Sequence, residues 1–349
     1  MIECRNLGKS YGTVQAVSEI SLSLDEHEFL SILGPSGCGK STLLRLIAGL
    51  EVPSQGQVFL HGQEISGRKI ILPPERRKFG MIFQDFALFP HLSVKDNVGY
   101  GAAGSKTEKQ QRVNELLELV SLPHLATTMP HQISGGEQQR IAVARALAPR
   151  PRLILMDEPF SNLDYQLRQQ LRRDIREILK HEGVATVLVT HDQVEAITFS
   201  DRMLLMQKGK VVQEGTPAEI YQNPQTIWAS SFVGEANHLP VEWQNDSLKT
   251  PLGELNVPFE IGRNARIMMV RPEDFKLESV PADQANGIVK SVDFSGSVQN
   301  VGVLLKSGAS VQVSGSPHLL WNQEDSVKIT AERYLCFNSS GNRLNGIPE

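Results

Sequence analysis

The stretch Gly34-Pro35-Ser36-Gly37-Cys38-Gly39-Lys40-Ser41-Thr42 decides the fold of this chain. It matches G-x-x-x-x-G-K-[ST] and lies between an apolar strand pattern, Phe29–Leu33, and a helical pattern, Lys40–Ala48. The glycines let successive backbone N–H groups turn inward on phosphates, and the positive end of the following helix adds to the attraction. Lys40 is expected to reach the β- and γ-phosphates, and the Ser41 hydroxyl to ligate Mg²⁺. The stretch therefore predicts an α/β P-loop fold that binds a nucleotide.

Length, charge and cysteine content narrow the class of protein. The chain has 349 residues, a net charge of −4 and three cysteines. This length predicts two domains, and the charge does not favour a nucleic acid or an anionic membrane as the main partner. Widely spaced cysteines without CxxC argue against disulfides and zinc sites. Because no apolar run reaches the roughly 18 residues that span a bilayer, we expect other subunits to hold the protein at any membrane.

An acidic pair follows the second strong strand pattern. Leu153–Met156 is continuously apolar, as in a strand buried on both faces of a parallel sheet, and Asp157 and Glu158 come next. Asp157 is expected to support Mg²⁺, and Glu158 to act as general base on a water in line with the γ-phosphate. An isolated pair of this kind is more often two surface acids, but downstream of a phosphate loop the catalytic interpretation is favoured.

Three single residues are weaker candidates. His191 ends the strand pattern Val184–Thr190, where a γ-phosphate sensor is expected. Gln84 follows another strand pattern, and its amide is predicted to ligate Mg²⁺ or the attacking water; alone, such a Gln would be solvated. Tyr11 lies at an early hairpin turn, where it is expected to stack on adenine or, equally, to be a half-buried strand tyrosine.

A second glycine turn lies about a hundred residues after the first. Ser134-Gly135-Gly136-Glu137-Gln138 precedes a helical pattern, with Ser134 as a good N-cap and the glycines exposing further N–H donors. The phosphate loop already serves the nucleotide within the same chain. We therefore expect this turn to meet the γ-phosphate held by a second copy of the chain, although alone it would be only a capped helix.

Together these motifs resemble the ATP-binding subunits of ABC transporters, in the order that the family shows over about residues 1–235. The resemblance implies Walker A at 34–42, a Q-loop at Gln84, a signature at 134–138, Walker B at 153–157, a D-loop at 161–164 and a switch histidine at His191. The family's usual signature is LSGGQ, and here Ile133 and Glu137 depart from it without loss of the serine and the glycines. The residues implied to contact ATP are Tyr11, Gly34, Pro35, Ser36, Gly37, Cys38, Gly39, Lys40, Ser41, Thr42, Ser134, Gly135, Gly136, Gln138 and Asp164; those implied in catalysis are Glu158, His191 and Gln84, and those implied for Mg²⁺ are Ser41, Gln84 and Asp157.

The predicted organisation is an ABC ATPase core with antiparallel β and helical subdomains, followed by an all-β domain. The core is placed at residues 1–235 with a helical insert at about 88–150, and the β-rich domain at 236–349. Short apolar stretches broken by turn residues favour a small barrel or sandwich in the second domain. That domain resembles the OB-like regulatory domain of importer ATPases, most clearly at Val270–Asp274, and its excess of acids disfavours oligonucleotide binding.

The resemblance implies an ATPase motor that works as a homodimer with two permease subunits and, indirectly, a solute-binding protein. Its place would be the cytoplasmic face of the inner membrane in a bacterial-type cell, without nucleic acid as a partner. The stretch Leu72–Arg77 and the compact β domain look most like the ferric-iron group. Polyamine, sulfate, molybdate and sugar importers remain alternatives, as does a soluble non-transport ABC ATPase. The β domain is expected either to bind an effector or only to dimerise.

Overall fold

The computed structural model describes residues 1–67, 70–161 and 164–345. By its internal contacts the chain divides into two compact units, Met1–Ala218 and Glu219–Glu349. Within the described residues, no helix is long and apolar enough to cross a membrane.

The first unit contains two sheets and a set of helices between their strands. Its strands are β1 (Ile2–Tyr11), β2 (Val14–Leu24), β3 (Phe29–Leu33), β4 (Gln55–Leu60), β5 (Gln63–Ser66), β6 (Phe79–Ile82), β7 (Leu153–Asp157), β8 (Ala185–Thr190), β9 (Arg202–Gln207) and β10 (Lys210–Gly215). Its helices are α1 (Lys40–Ala48), α2 (Pro74–Arg77), α3 (Val94–Gly99), α4 (Lys106–Leu119), α5 (Gly135–Leu147), α6 (Tyr165–His181) and α7 (Gln193–Phe199).

The central sheet has the strand order β10-β9-β3-β8-β7-β6. All neighbours in it are parallel except β9 and β10, which form an antiparallel hairpin. Every residue of β3 and β8 is buried, as expected for central strands of a parallel sheet. Because parallel strands end at the same edge, the segments after β3, β6, β7 and β8 all begin at that edge of the sheet.

Both faces of this sheet are covered by apolar side chains. Along β7, Leu153 and Leu155 belong to the cluster that contains α1 and the antiparallel sheet. Ile154 and Met156 belong to the cluster formed with α5 and α6. This alternation follows from the two-residue period of a strand, and it holds β7 between two cores.

The second sheet is antiparallel, in the order β2-β1-β4-β5. The hairpin turn predicted at Tyr11 is confirmed, since β1 pairs with β2 and Tyr11 lies opposite Val14. Between β6 and β7 the chain is mainly helical, as predicted for the insert, since it contains α3, α4 and α5.

Helix α1 ends at Gly49 for two structural reasons. Gly49 has φ 80°, a left-handed conformation that favours glycine. A Cβ on Gly49 would also lie 2.3 Å from Nε of Arg77. The buried Arg77 guanidinium donates to the carbonyls of Leu46 and Ile47, which closes the end of α1.

The elements from residue 217 onward are mostly strands. The helices are α8 (Pro217–Gln222), α9 (Ile227–Phe232) and α10 (Phe259–Asn264). The strands are β11 (Asn237–Pro240), β12 (Glu242–Gln244), β13 (Ser247–Thr250), β14 (Gly253–Leu255), β15 (Ile267–Val270), β16 (Phe275–Ser279), β17 (Gly287–Phe294), β18 (Gln299–Leu305), β19 (Ser310–Gly315), β20 (Ser326–Ala331), β21 (Leu335–Phe337) and β22 (Arg343–Leu344). The largest sheet of this unit has the order β16-β20-β17-β18-β19, and its buried aliphatic residues form a separate core.

Candidate nucleotide site

The phosphate loop connects β3 to α1 at the carboxyl edge of the central sheet. Its lysine is buried, and the Lys40 ammonium donates to the carbonyls of Gly34 at 2.7 Å and of Pro35 at 3.0 Å. Ser36 and Gly37 form the exposed part of the turn. The loop is therefore closed around the lysine head, with its outer backbone open to solvent.

Gly39 is required by the conformation at the start of α1. Its φ is 105°, and a Cβ there would lie 2.0 Å from the carbonyl oxygen of Ala16. No side chain caps this helix, and no acidic residue lies in its first turn. The N-terminal N–H groups of α1 are thus left for an anion rather than for a residue of the helix itself.

Cys38 fills space inside the loop. Its side chain is buried, and a Cβ added at Gly34 would approach the Cys38 sulfur to 2.7 Å. Burial raises the pKa of this thiol above its ordinary value, which disfavours the reactive thiolate at neutral pH. Thr42 follows in the first turn of α1, partly buried.

Two pairs of side chains meet where β7 and β8 end. The Ser41 hydroxyl donates to Oδ1 of Asp157 at 2.8 Å. Nδ1 of His191 lies 3.1 Å from Oε2 of Glu158. The sheet thus brings the loop serine, both Walker B acids and the strand-end histidine to one edge.

Glu158 has an unusual backbone. Its φ is +47°, in the left-handed region that non-glycine residues seldom adopt. Its N–H donates to the Val189 carbonyl at 2.9 Å, and its carbonyl accepts from the Ser161 hydroxyl at 3.0 Å. These bonds hold the strained residue, and such strain is concentrated at functional sites.

Gln84 and Tyr11 occupy exposed positions. Gln84 lies two residues after β6, at the same edge as the acids. Tyr11 ends β1 with 45% of its surface exposed, and the Lys9 ammonium lies 5.0 Å from its ring centroid. This exposure is compatible both with stacking on a base and with a half-buried strand tyrosine, so the contact of Tyr11 with adenine stays a prediction.

The signature turn opens α5. Ser134 is its N-cap and forms a capping box with Glu137. The Gln138 amide donates to the carbonyls of Pro130 and Ile133, so it holds the approach to the turn. Its predicted contact with ATP remains a prediction, as do those of Gly135 and Gly136.

The D-loop is described only at its two ends. Asp164 caps α6 by accepting from the Leu167 N–H at 3.0 Å. Asn162 and Leu163 lie outside the described residues.

Comparison with known proteins places this geometry in a family. A model of the ABC transporter family matches residues 17–161, and a TOBE domain model matches residues 268–337. The chain is 43% identical over 299 residues to the "Fe(3+) ions import ATP-binding protein FbpC" of Pseudomonas fluorescens, covering 84% of each chain. The chain belongs to the ATP-binding subunits of ABC transporters. This ABC ATPase is also 39% identical to a Haemophilus influenzae protein with a similar name. The alignment covers 86% of this chain and 87% of that protein.

Solved structures agree with this assignment. The ATP-binding cassette MJ0796, solved as a dimer bound to ADP and Pi, matches with a TM-score of 0.54 and 33% identity. The match covers 62% of this ABC ATPase and 99% of that chain. The cbiO1 protein of Clostridium perfringens gives a TM-score of 0.58 at 29% identity, covering 63% and 89%. The predicted P-loop ATPase core and the all-β OB-like domain are therefore confirmed.

Sequence reasoning missed a charged cluster behind the switch histidine of this ABC ATPase. Burial raises the pKa of Glu195 to about 7, while Thr190, through a hydrogen bond, and the charge of Arg172 oppose the shift. Asp192 caps α7, accepts from Arg168 at 3.3 Å and lies 4.0 Å from Arg172. Glu195, the third residue of α7, and Arg172, the eighth residue of α6, looked like surface charges, because periodicity alone does not show which helices pack together.

A second missed residue of this ABC ATPase is Arg145. Its guanidinium donates to the carbonyls of Phe86 and Ala87, just after Gln84, and lies 5.5 Å from the Phe89 ring centroid. Phe86 and Ala87 both have positive φ, so this bend needs an external support. An arginine within the apolar face of "RIAVARALA" was the available signal.

Proposed function

We propose that this ABC ATPase is the motor of a bacterial ferric-iron importer. ATP binding closes two copies head to tail, and hydrolysis resets the permease. Three relatives at 39–43% identity are named as Fe(3+) import ATP-binding proteins, which supports ferric iron as the transported solute. Polyamine, sulfate, molybdate and sugar import are the alternatives that a transport assay separates from it.

The observation that carries the proposed hydrolysis is the pairing of Glu158 with His191 beside the phosphate loop. The loop holds the β- and γ-phosphates through its backbone N–H groups and Lys40, whose ammonium exchanges its two carbonyl partners for phosphate oxygens. Glu158 takes a proton from a water that attacks the γ-phosphorus in line, while the bond from that phosphorus to the bridging oxygen breaks and ADP leaves. His191 orients the Glu158 carboxylate through the 3.1 Å contact.

The residues at the Walker B end fit Mg²⁺. Ser41 and Asp157 offer oxygen ligands 2.8 Å apart, and Gln84 lies at the same edge. Among the described residues, no group of three or more His, Cys, Asp or Glu side chains could hold a metal ion. Mg²⁺ takes one or two protein ligands beside water and nucleotide phosphates, and Ser41 and Asp157 can supply them. When bound, it would neutralise charge that develops on the phosphate oxygens.

Two copies complete each site. The signature residues Ser134, Gly135 and Gly136 of one copy contact the γ-phosphate held by the other. Solved relatives of this family are dimeric, which supports this arrangement.

The other subunits and the location follow from the importer assignment. Two integral-membrane permease subunits hold the ATPase dimer at the cytoplasmic face of the inner membrane, and a solute-binding protein delivers iron on the other side. We place the ATPase domain at 1–235 and the regulatory β domain at 236–349; the compact units, in contrast, divide after Ala218.

The first test replaces the proposed base. Glu158→Gln keeps the shape of the side chain but removes its basicity, so we expect ATP binding to persist and turnover to fall at least about a hundredfold. Phosphate release and nucleotide binding by the purified chain measure the two effects. Glu118→Gln, an exposed change on α4, is the matched control and should leave both unchanged. Rapid turnover by Glu158→Gln would remove Glu158 from this role.

The second test addresses the solute. The ATPase is reconstituted in vesicles with its permease and its solute-binding protein, which is loaded in turn with Fe³⁺, spermidine, sulfate, molybdate or maltose. We expect only Fe³⁺ to stimulate ATP hydrolysis and to accumulate inside. Stimulation by another solute alone would replace iron as the substrate but leave the motor assignment intact.

A further inference from the structure

In the signature turn, the carboxylate of Glu137 is hydrogen-bonded to Ser134. Oε2 of Glu137 accepts from both the Ser134 N–H and the Ser134 hydroxyl, each at 2.7 Å. The Ser134 oxygen in turn accepts from the Glu137 N–H at 3.4 Å. Both donors of Ser134 are therefore directed at an acid of the same helix.

Glu137 is ionised at neutral pH. The hydrogen bond from the Ser134 side chain is the main cause that holds the pKa of Glu137 below its ordinary value, and His124 and Arg140 add smaller electrostatic contributions. Arg140 is itself paired with Asp174 at 2.5 Å, so it does not neutralise the carboxylate by direct contact. A full negative charge thus lies against the Ser134 hydroxyl.

We infer that Glu137 acts as a brake on dimer closure, because its carboxylate and the γ-phosphate of ATP compete for the same Ser134 donors. The inference rests on the proposed function, in which Ser134 meets the γ-phosphate held by a second copy. A phosphate that reaches this turn has to displace Oε2 from the hydroxyl, and it meets the repulsion of a like charge. Glu137 thereby raises the ATP concentration at which two copies close.

The same capping box occurs where no phosphate is expected, which supplies a matched control. At the start of α4, Oε2 of Glu108 accepts from the Ser105 N–H at 2.7 Å, and the Ser105 oxygen accepts from the Glu108 N–H at 3.4 Å. Glu108 and Glu137 thus share the two backbone N–H contacts of their capping boxes, and Glu137 accepts the further bond from the Ser134 hydroxyl. Replacing either with Gln removes one capping charge, but only the change at Glu137 alters the proposed phosphate site.

The test measures ATP-dependent dimerisation of the full chain by sedimentation. Glu158→Gln is the parent, so that ATP is not consumed, and Glu137→Gln or Glu108→Gln is added to it. One water-screened charge pair is relieved at each of two symmetric sites, so we expect Glu137→Gln to need about tenfold less ATP. Glu108→Gln should need the same amount as the parent. The gain from Glu137→Gln should shrink at high salt, because salt screens the repulsion.

A role of Glu137 in helix capping alone predicts the opposite result. A weakened cap would leave the required ATP concentration unchanged or higher, and either outcome overturns the brake. Thermal unfolding of the two Gln variants checks that both fold, and Glu137→Ala gives a second variant without the charge. If ATP binds but even the parent does not dimerise, the proposed two-copy site fails, which is distinguishable from a dimer that ignores position 137.

Discussion

Helices α1 and α5 both begin at glycine-rich turns beside proposed phosphate positions, yet they begin in different ways. The turn before α1 ends in Gly39 with φ 105°, and its helix has neither a side-chain cap nor an acid in its first turn. The turn before α5 ends in Ser134, which is closed by Glu137 in a capping box. Helix α1 holds its ligand within one chain, so its N-terminal N–H groups are left for that ligand. Helix α5 meets a ligand only in a dimer, and until then its own residues accept hydrogen bonds from its N-terminal N–H groups.

The largest expected effect comes from adding one methyl group to each turn. Gly39→Ala forces a left-handed φ on alanine and drives Cβ into the Ala16 carbonyl at 2.0 Å, so we expect a loss of more than about 3 kcal/mol in unfolding free energy. At Gly136 the new Cβ meets a terminal carbon of the Leu167 side chain at 3.0 Å. The Cβ also lies 3.2 Å from a terminal carbon of Leu171, and the helix propensity of alanine, about 1 kcal/mol better than glycine, offsets this overpacking. We therefore expect Gly136→Ala to change the unfolding free energy by less than about 2 kcal/mol. Urea denaturation measures both, and equal losses would contradict the contrast between the turns.

A third position, behind the switch histidine, extends the comparison to a group controlled by burial. Burial raises the pKa of Glu195 to about 7 from 4.5, so the folded state binds this proton more tightly than the unfolded state. The contribution of Glu195 to stability is therefore fully present below about pH 4.5 and falls by about 3 kcal/mol as the pH rises to 7. Glu195→Gln should remove that slope.

The pH dependence of the denaturation midpoint between pH 5 and 8, measured for the wild type and for Glu195→Gln, tests this expectation. Glu118→Gln serves as the exposed control and should keep the wild-type slope. Parallel curves for the wild type and Glu195→Gln would show that Glu195 is ionised in the folded protein throughout this range.

The affinity of the monomer for ATP should depend on the phosphate loop before α1 but not on the signature turn before α5. Lys40→Ala removes a charged donor from the phosphate loop, and we expect ATP affinity to fall about tenfold to a hundredfold. Ser134→Ala should leave the affinity of the dilute monomer unchanged but weaken ATP-dependent dimerisation. Fluorescence titration with a labelled ATP analogue at low protein concentration measures the first quantity. Weaker monomer binding by Ser134→Ala would place Ser134 at the nucleotide of its own chain.

The smallest effect is the response of the caps to acid. Hydrogen bonds from Ser134 and Ser105 hold the pKa values of Glu137 and Glu108 below the ordinary 4.5. Such carboxylates stabilise the fold above the unfolded pKa, and this contribution is lost as the pH falls through the folded pKa. The difference in urea midpoint between the wild type and Glu137→Gln should therefore be present at pH 7 and decline in acid, as the pH falls from 4.5 through the lower pKa of the folded state. A difference that persists in acid would have another origin.

The sequence predicted the parts of the fold that local pattern determines. Strands buried on both faces read as apolar runs, and the helical pattern Lys40–Ala48 that follows the loop glycines coincides with α1. Since parallel strands end at one edge, the sequence also located Asp157, Glu158 and His191 together. What local pattern could not supply was packing between distant segments.

Three features show that limit. Arg77, read as part of a family resemblance, is buried and closes α1 through carbonyls some thirty residues away in sequence. Arg145 supports the bend after Gln84 from more than fifty residues away. The sequence shows that Glu137 departs from the usual signature. Its two hydrogen bonds from Ser134, however, are seen only in the side-chain positions.

The positive φ of Glu158 has a consequence for how this protein can be improved. A residue other than glycine at φ +47° is held there at a cost of about 1 kcal/mol or more. Glycine would relieve that cost but remove the carboxylate, so a screen that rewards heat resistance alone should enrich Glu158→Gly and discard ATP hydrolysis. The most thermostable descendants of this chain would then be its least useful motors, unless selection scores turnover together with survival.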